Sequence, residues 1–149
     1  MIKYKLAEAI DIPRIIELLI DDNLGKTRED PSNMEPYLKA FADIQKDPNQ
    51  HLMVMLLDEK IIGTFHLTII PSLGRAGSKR ANIESVRIDK NFRGQKLGEQ
   101  MIAEAIRIAK ENSAVLVQLT TDKSRIDAKR FYERLGFVAS HEGMKIKIG

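Results

Sequence analysis

Hydrophobic positions change their period along the chain, and the changes mark out its elements. Ile12, Ile15, Ile16 and Leu19 recur at helical spacing, as do Tyr37, Leu38, Phe41 and Ile44. Each set predicts an amphipathic helix. Asp11 can cap the first helix, and Pro13 falls in its first turn, where a missing N–H costs nothing. The second helix stops before Pro48. Between them, residues 21–35 are polar, contain Gly25 and Pro31, and predict a loop. A short strand, residues 2–6, precedes the first helix.

In the middle of the chain the period shortens. Residues 51–57 and 61–70 predict two strands joined by the turn Asp58, Glu59, Lys60. A glycine-containing loop, 71–79, leads to a third strand over 81–88. Helical spacing then returns over 95–112, with Leu97, Met101, Ile102, Ala105, Ile108 and Ala109 as the buried stripe. A strand follows over 115–119. Ser124, Ile126 and Asp127 open another helix, in which Ser124 and Asp127 stand at capping-box spacing. Its inner face is Ala128, Phe131, Tyr132 and Leu135, and Gly136 can stop it. In the tail, Met144, Ile146 and Ile148 alternate with Lys145 and Lys147, which predicts a half-exposed strand. The order β-α-α-β-β-β-α-β-α-β predicts an α+β fold: a mixed, mostly antiparallel central sheet with helices on both faces. Without repeat or linker, residues 1–149 read as one domain.

Composition narrows the function classes. The chain has no cysteine, so disulfide scaffolds, thiolate metal sites and cysteine nucleophiles are excluded. The apolar stretches are strand-sized, against the roughly 20 residues of a membrane-spanning helix, and no signal peptide is visible at the N-terminus. The expectation is a soluble, cytoplasmic protein without a membrane partner. Twenty-four Lys and Arg against 21 Asp and Glu give a net charge of +3, but the charges are interspersed. The densest basic cluster, Arg75, Lys79 and Arg80, holds no aromatic residue on which a base could stack, so no nucleic acid is expected as partner. His51, His66 and His141 lie apart, so no metal site is expected and each reads as structural or surface, with the one reservation that His66, in a central strand, could face an acceptor pocket.

The stretch from Ile83 to Gly98 carries the chemistry. A strand holding Glu84, Val86, Arg87 and Ile88 runs into a short glycine-containing loop with Arg93 and Gly94 and then straight into the long helix from Gln95, through Lys96, Leu97 and Gly98. Free N–H groups and the positive dipole end at such a helix start form an anion site. Gly94 lets the backbone bend toward a phosphate, and Arg93 and Lys96 add two cations. The spacing matches neither a P-loop nor a dinucleotide-binding turn, and from physics alone the glycines are equally explained as turn punctuation.

Arg93-Gly94-Gln95-Lys96-Leu97-Gly98 resembles the R/Q-x-x-G-x-G/A signature of the GNAT superfamily of N-acetyltransferases. Ala128-Lys129-Arg130-Phe131-Tyr132-Glu133-Arg134-Leu135-Gly136-Phe137 resembles the A-x-x-F-Y-x-x-x-G-F near the end of the same fold. The resemblance implies acetyl-CoA as co-substrate, its pyrophosphate cradled by Arg93, Gly94, Gln95, Lys96, Leu97 and Gly98. Its pantetheine arm would pair with the strand through Val86, Arg87 and Ile88, and a backbone N–H of that strand would meet the oxyanion. Two positions depart from the pattern. Lys96 replaces a glycine, which leaves the cradle intact if Lys96 keeps ordinary helical angles. Arg125 replaces a frequent asparagine.

The implied reaction is N-acetylation of a primary amine, on a small molecule or a peptide, by direct attack. Glu84 is the candidate base: strand alternation puts it on one face with Val86 and Ile88, among apolar neighbours. A structural ion pair with Arg80 or Arg87 is the equal alternative, and a bulge would reverse the parity. Tyr132 is the candidate acid, since a phenol with a reference pKa of about 10 stays protonated near neutral pH. A packed core tyrosine fits the same stripe. Asp21, Asp22, Glu29 and Asp30 are candidates for holding a cationic amine. Relatives often pair, so a homodimer is compatible. A non-catalytic acyl-CoA-binding regulatory module is the reading from a different class.

Overall fold

The computed structural model describes residues 1–22 and 24–149. The chain forms two compact units, Met1–Gln118 and Leu119–Gly149.

The first unit holds a five-stranded sheet in the order β1-β2-β3-β4-β5. β1 (Ile2–Leu6), β2 (Gln50–Leu57), β3 (Lys60–Pro71) and β4 (Lys79–Ile88) pair antiparallel in sequence order, and β5 (Ala114–Gln118) pairs parallel with β4. Asp58 and Glu59, both at positive φ, close the β2–β3 hairpin. A two-residue loop with both residues left-handed follows the twist of the strands it joins. The segment between β3 and β4 is tighter than the predicted loop: the one-turn element α4 (Gly74–Gly77) has Arg75 and Ala76 left-handed.

Helices cover both faces of this sheet. α1 (Ile12–Ile20) and α3 (Glu35–Lys46) set Ile12, Ile15, Ile16 and Phe41 against Val54 and Leu56. α5 (Leu97–Glu111) lies on the other face, where Met101 meets Gly63 so closely that a Cβ added to Gly63 would stand 2.6 Å from Met101 Cε. Phe65, Leu67, Ile83, Met101 and Ile102 are buried. Each such side chain contributes about 1.5–3 kcal/mol by leaving water.

Several local expectations are corrected. Residues 21–35 include a short helix, α2 (Gly25–Arg28). Asp11 does not cap α1 with its side chain; its Oδ2 accepts from the Glu8 amide and from Lys5 Nζ, both at 2.9 Å. A 3-10 turn at Ala9–Asp11 therefore leads into the helix. α5 begins at Leu97, because Gly94 (φ 80°) and Lys96 (φ 60°) are left-handed and belong to the turn. Lys96 thus does not keep the ordinary helical angles that were the condition for an intact cradle, and the family pattern's glycine falls where the backbone favours one.

The second unit holds α6 (Ile126–Arg134), whose half-buried positions include Ala128, Phe131 and Tyr132, as the helical period predicts. Ser124 and Asp127 form no capping box. Asp122 takes both the amide and the hydroxyl of Ser124 on its Oδ1, at 2.9 and 2.7 Å, an Asx turn that outcompetes the longer-range cap. Gly136 (φ 100°) ends the helix, and the Phe137 amide returns to the Tyr132 carbonyl. The strand predicted for the tail is not formed. Met144, Ile146 and Ile148 are exposed, and residues 142–149 carry no strand pairing. Alternation makes a strand only where an open edge supplies the other half of the ladder.

Candidate active site

β4 is interrupted at its centre. Its register against β3 runs His66↔Glu84 and then Thr64↔Arg87, so Ser85 and Val86 together oppose Phe65. This is a β-bulge, and Ser85 sits at φ 55°, a conformation few side chains adopt. The extra residue reverses the alternation: Glu84 shares a face with Arg87, His66 and Thr64, while Ile88, opposite Gly63, falls on the other. The apolar setting expected for Glu84 is therefore absent, and its side chain is 57% exposed. Arg87 Nη1 donates to the Val86 carbonyl at 2.9 Å, satisfying an oxygen at the bulge.

The other edge of β4 is partly open. Its pairing with β5 ends at Asn82↔Gln118, so among the described residues 83–88 have no ladder partner on that side. Beyond Ile88 the chain makes a 3-10 turn (Lys90–Phe92) capped by Asp89, whose Oδ1 accepts from the Asn91 amide at 2.8 Å. That bond, followed by the charged hydrogen bond from Arg14, holds the Asp89 carboxyl below its usual value. Arg14 Nη2 lies 2.5 Å from Asp89 Oδ2, and Arg14 also donates to the Ile61 carbonyl, so α1 is tied to the head of the turn.

The predicted anion site follows. No side chain caps the first turn of α5, and a Cβ added at Gly94 would meet nothing within 4 Å. Arg93 is only half-exposed and serves as a tie: Nε donates to the Ile88 carbonyl at 3.1 Å, and Nη2 lies 3.6 Å from Asp21 Oδ2.

On the α1–α3 face a pocket of about 140 Å³ ends at the bulge. Ile12, Ile15, Ile16, Leu19, Phe41 and Ile44 wall it, with Tyr37, Thr64, His66 and Ser85 among its polar lining. These apolar residues are legible in the sequence only as core. Thr64 is fully buried, its hydroxyl bound to the Met53 carbonyl at 2.8 Å.

His66 is the titratable group best placed here. Its Nε2 lies 2.7 Å from Gln50 Oε1, which also accepts from the Thr68 hydroxyl at 3.0 Å. An oxygen already accepting from Thr68 fixes Nε2 as the protonated nitrogen and leaves a lone pair on Nδ1. Nδ1 lies 3.9 Å from Glu84 Oε1. Burial pushes the imidazole below its ordinary value, while the Glu84 charge opposes that shift. Glu84 therefore faces the imidazole of His66, which forms an ion pair with it only when protonated, while Arg80 donates to Ser72 and Arg87 pairs with Asp22 at 2.8 Å.

The acidic candidates of residues 21–30 are occupied within the fold. Asp21 faces Arg93, Asp22 also takes the Gly25 amide, Glu29 accepts from the Tyr37 hydroxyl, and Asp30 binds Ser32. In the second unit, Tyr132 packs edge-on between Phe131 and Phe137, with ring centroids 5.2 and 5.6 Å away. Among the described residues no cluster of His, Asp or Glu could hold a metal ion, and no helix is long and apolar enough to cross a membrane.

The site thus combines a mixed sheet with a central bulge, an opened strand edge and an uncapped helix start beyond it. The acetyltransferase (GNAT) family matches residues 12–137, and the chain belongs to it. It is 33% identical over 107 residues to the aminoalkylphosphonate N-acetyltransferase of Salmonella typhimurium, covering 72% of this chain and 69% of that one. It is 30% identical over 149 residues to the glucosamine 6-phosphate N-acetyltransferase of Trypanosoma brucei brucei, covering 99% and 96%. Among solved structures, a transcriptional regulator from Bacillus halodurans C-125 superposes with a TM-score of 0.93 at 43% identity, covering 99% of this chain and all of that one.

Proposed function

We propose that this enzyme transfers an acetyl group from acetyl-CoA to a primary amine held beside the bulge, by direct attack while both substrates are bound. The observation that carries it is the bulge at Ser85 and Val86, next to an open strand edge that leads to the turn at residues 93–98. The residues fit the co-substrate. The backbone of Val86, Arg87 and Ile88 offers an edge to an extended amide-containing arm. Arg93, Gly94, Gln95, Lys96, Leu97 and Gly98 surround an uncapped helix start suited to a pyrophosphate. Acetyl-CoA supplies the activated acyl group as a thioester.

The protein's own groups then have three tasks. An amide freed by the bulge stabilises the negative charge developing on the thioester oxygen. His66 Nδ1 takes the proton that the attacking amine loses, and Glu84 steadies the imidazolium formed. This shares between two residues the role first assigned to Glu84 alone. Tyr132 returns a proton to the departing thiolate, an assignment that rests on the family's F-Y motif.

The test is the heat of binding of acetyl-CoA, with dephospho-CoA and ATP as controls. Micromolar binding that needs the pantetheine arm and weakens in Gly94→Asp is expected; no binding overturns the proposal. Tyr132→Phe should keep acetyl-CoA binding and lose turnover, and unchanged turnover would remove Tyr132 from its role. The description of the Bacillus halodurans structure as a transcriptional regulator favours a second reading, an acyl-CoA-binding regulatory module. That reading predicts tight acetyl-CoA binding without product across a broad panel of amines.

A further inference from the structure

The pocket on the α1–α3 face differs in chemistry from what the relatives' names would require. Aminoalkylphosphonate and glucosamine 6-phosphate both carry a dianionic group, which a protein ordinarily meets with arginine, lysine or a helix start. Here the walls are Ile12, Ile15, Ile16, Leu19, Phe41 and Ile44, and none of the described lining residues is a lysine or arginine. Arg14 and Arg87, the nearest basic residues by sequence on α1 and β4, are engaged with Asp89 and Asp22. Burying a phosphonate against these walls would cost several kcal/mol for an unpaired charge.

On the α3 side Tyr37 has its hydroxyl engaged by Glu29 and the Asp30 amide, and the other polar groups are gathered at the sheet end: Thr64, whose hydroxyl is spent on Met53, then His66 and Ser85. Glu84 stands behind His66 on the same face. A ligand lying here would bury an apolar body between α1 and α3 and present one polar end to the His66–Glu84 pair. We infer that the acceptor is an uncharged-bodied primary amine, an alkyl- or arylalkylamine, whose hydrocarbon part fills the pocket while its nitrogen meets His66 at the bulge. This rests on the acetyl-transfer reading and narrows its substrate class.

The acyl chain of a longer acyl-CoA is the competing occupant, and the His66–Glu84 pair argues against it. An acyl chain has no proton to give up, whereas an amine must lose one: its nitrogen forms the amide bond, the carbon–sulfur bond breaks, and the proton passes to His66. Size agrees as well. A volume of about 140 Å³ accommodates a phenethyl or short alkyl group, and burial of each methylene contributes about 0.8 kcal/mol. Affinity should therefore rise about 3–4-fold per methylene until the pocket is full.

The experiment titrates the full-length protein, with and without CoA, with butylamine, hexylamine, phenethylamine, 2-aminoethylphosphonate and glucosamine 6-phosphate. Acetyl-CoA and octanoyl-CoA are titrated separately. The expected result is binding of the apolar amines that strengthens with chain length, no binding of the two anionic amines, and CoA release on adding acetyl-CoA only with the apolar set. Ala40 of α3 also lines the pocket, on its exposed side, and Ala40→Trp should weaken phenethylamine at least 10-fold while acetyl-CoA binding is unchanged. Ile44→Lys should weaken it likewise. Tighter binding of the anionic amines overturns the inference, as does octanoyl-CoA binding better than acetyl-CoA with the amines silent. Loss of acetyl-CoA binding itself would overturn the acetyl-transfer reading, whatever the amines do, so the two failures are distinct.

Discussion

Glu84 and Arg87 emerge from the same face of β4 although three steps along a regular strand would put them on opposite faces. The bulge between them turns Glu84 toward His66 and leaves Ile88 with α5. The candidate proton-handling group is therefore a histidine in β3 and a carboxylate in β4 acting across one register pair.

That pairing has a pH signature. Burial is the main influence on His66 and lowers its pKa, so the folded protein favours the neutral ring; the Glu84 charge raises it and offsets part of the effect. A proton NMR titration of the His66 ring should give a midpoint below the ordinary value of about 6.5. In Glu84→Gln, with the raising influence gone, the midpoint should fall further. A group whose folded pKa is lowered takes up its proton more readily when unfolded. The neutral ring's contribution to stability is thus present above pH 6.5 and lost as pH falls below it. A midpoint above 6.5 in the wild type would contradict the burial of the ring.

Gly63 is where α5 comes closest to the sheet. A Cβ there would lie 2.6 Å from Met101 Cε, 2.9 Å from the Arg87 carbonyl oxygen and 3.1 Å from Ile88 Cδ1. Met101 can retreat, but the backbone oxygen cannot. Gly63→Ala should destabilise the fold by about 1–3 kcal/mol, as overpacking of a tight core does. Urea denaturation measures it; because the backbone oxygen is the obstacle and Met101 is fully buried, Met101→Ala in the same chain should not recover the loss and should add a cavity cost of its own.

Lys96 pays for a left-handed backbone at the start of α5. Lys96→Gly should relieve about 1 kcal/mol of that cost and raise the thermal midpoint. Acetyl-CoA binding should persist, because the donors in question are main-chain amides. A lower midpoint would mean that the lysine side chain stabilises the turn in a way its backbone angle conceals.

Asp89 caps the turn and binds Arg14. Asp89→Ala removes both and should cost about 1–2 kcal/mol, the range for losing a charged hydrogen bond at a partly exposed site. Chemical denaturation reads the cost. Acetyl-CoA affinity should fall as well, since the turn precedes residues 93–98. Unchanged affinity would show that the cradle holds its shape without the cap.

The sequence carried the elements better than their junctions. The stripe Leu97, Met101, Ile102, Ala105, Ile108 and Ala109 is buried as its period requires, and Gly136 stops α6 where expected. The turn at Arg93 and Gly94 was legible because a glycine between a strand and a helix has few other uses. The bulge was not. Period-2 alternation gives each residue a face only if none is inserted, and Ser85 gives no sign of being the extra one. That single insertion moved Glu84 across the sheet and paired it with His66. Ser124 and Asp127 misled for a related reason: Asp122, two residues before Ser124, offered a shorter hydrogen bond. Met144, Ile146 and Ile148 show the right alternation, but pairing needs a partner edge that sequence cannot supply.

One guanidinium connects two regions that the reaction would keep distinct. Arg14 grows from the helix that walls the apolar pocket, yet its hydrogen bonds end on the Ile61 carbonyl and on Asp89, at the head of the turn proposed to hold the pyrophosphate. If both proposed sites are used, this tie is a route by which they could couple, and any such coupling is reciprocal: the amine would change acetyl-CoA affinity by the same factor as acetyl-CoA changes that of the amine.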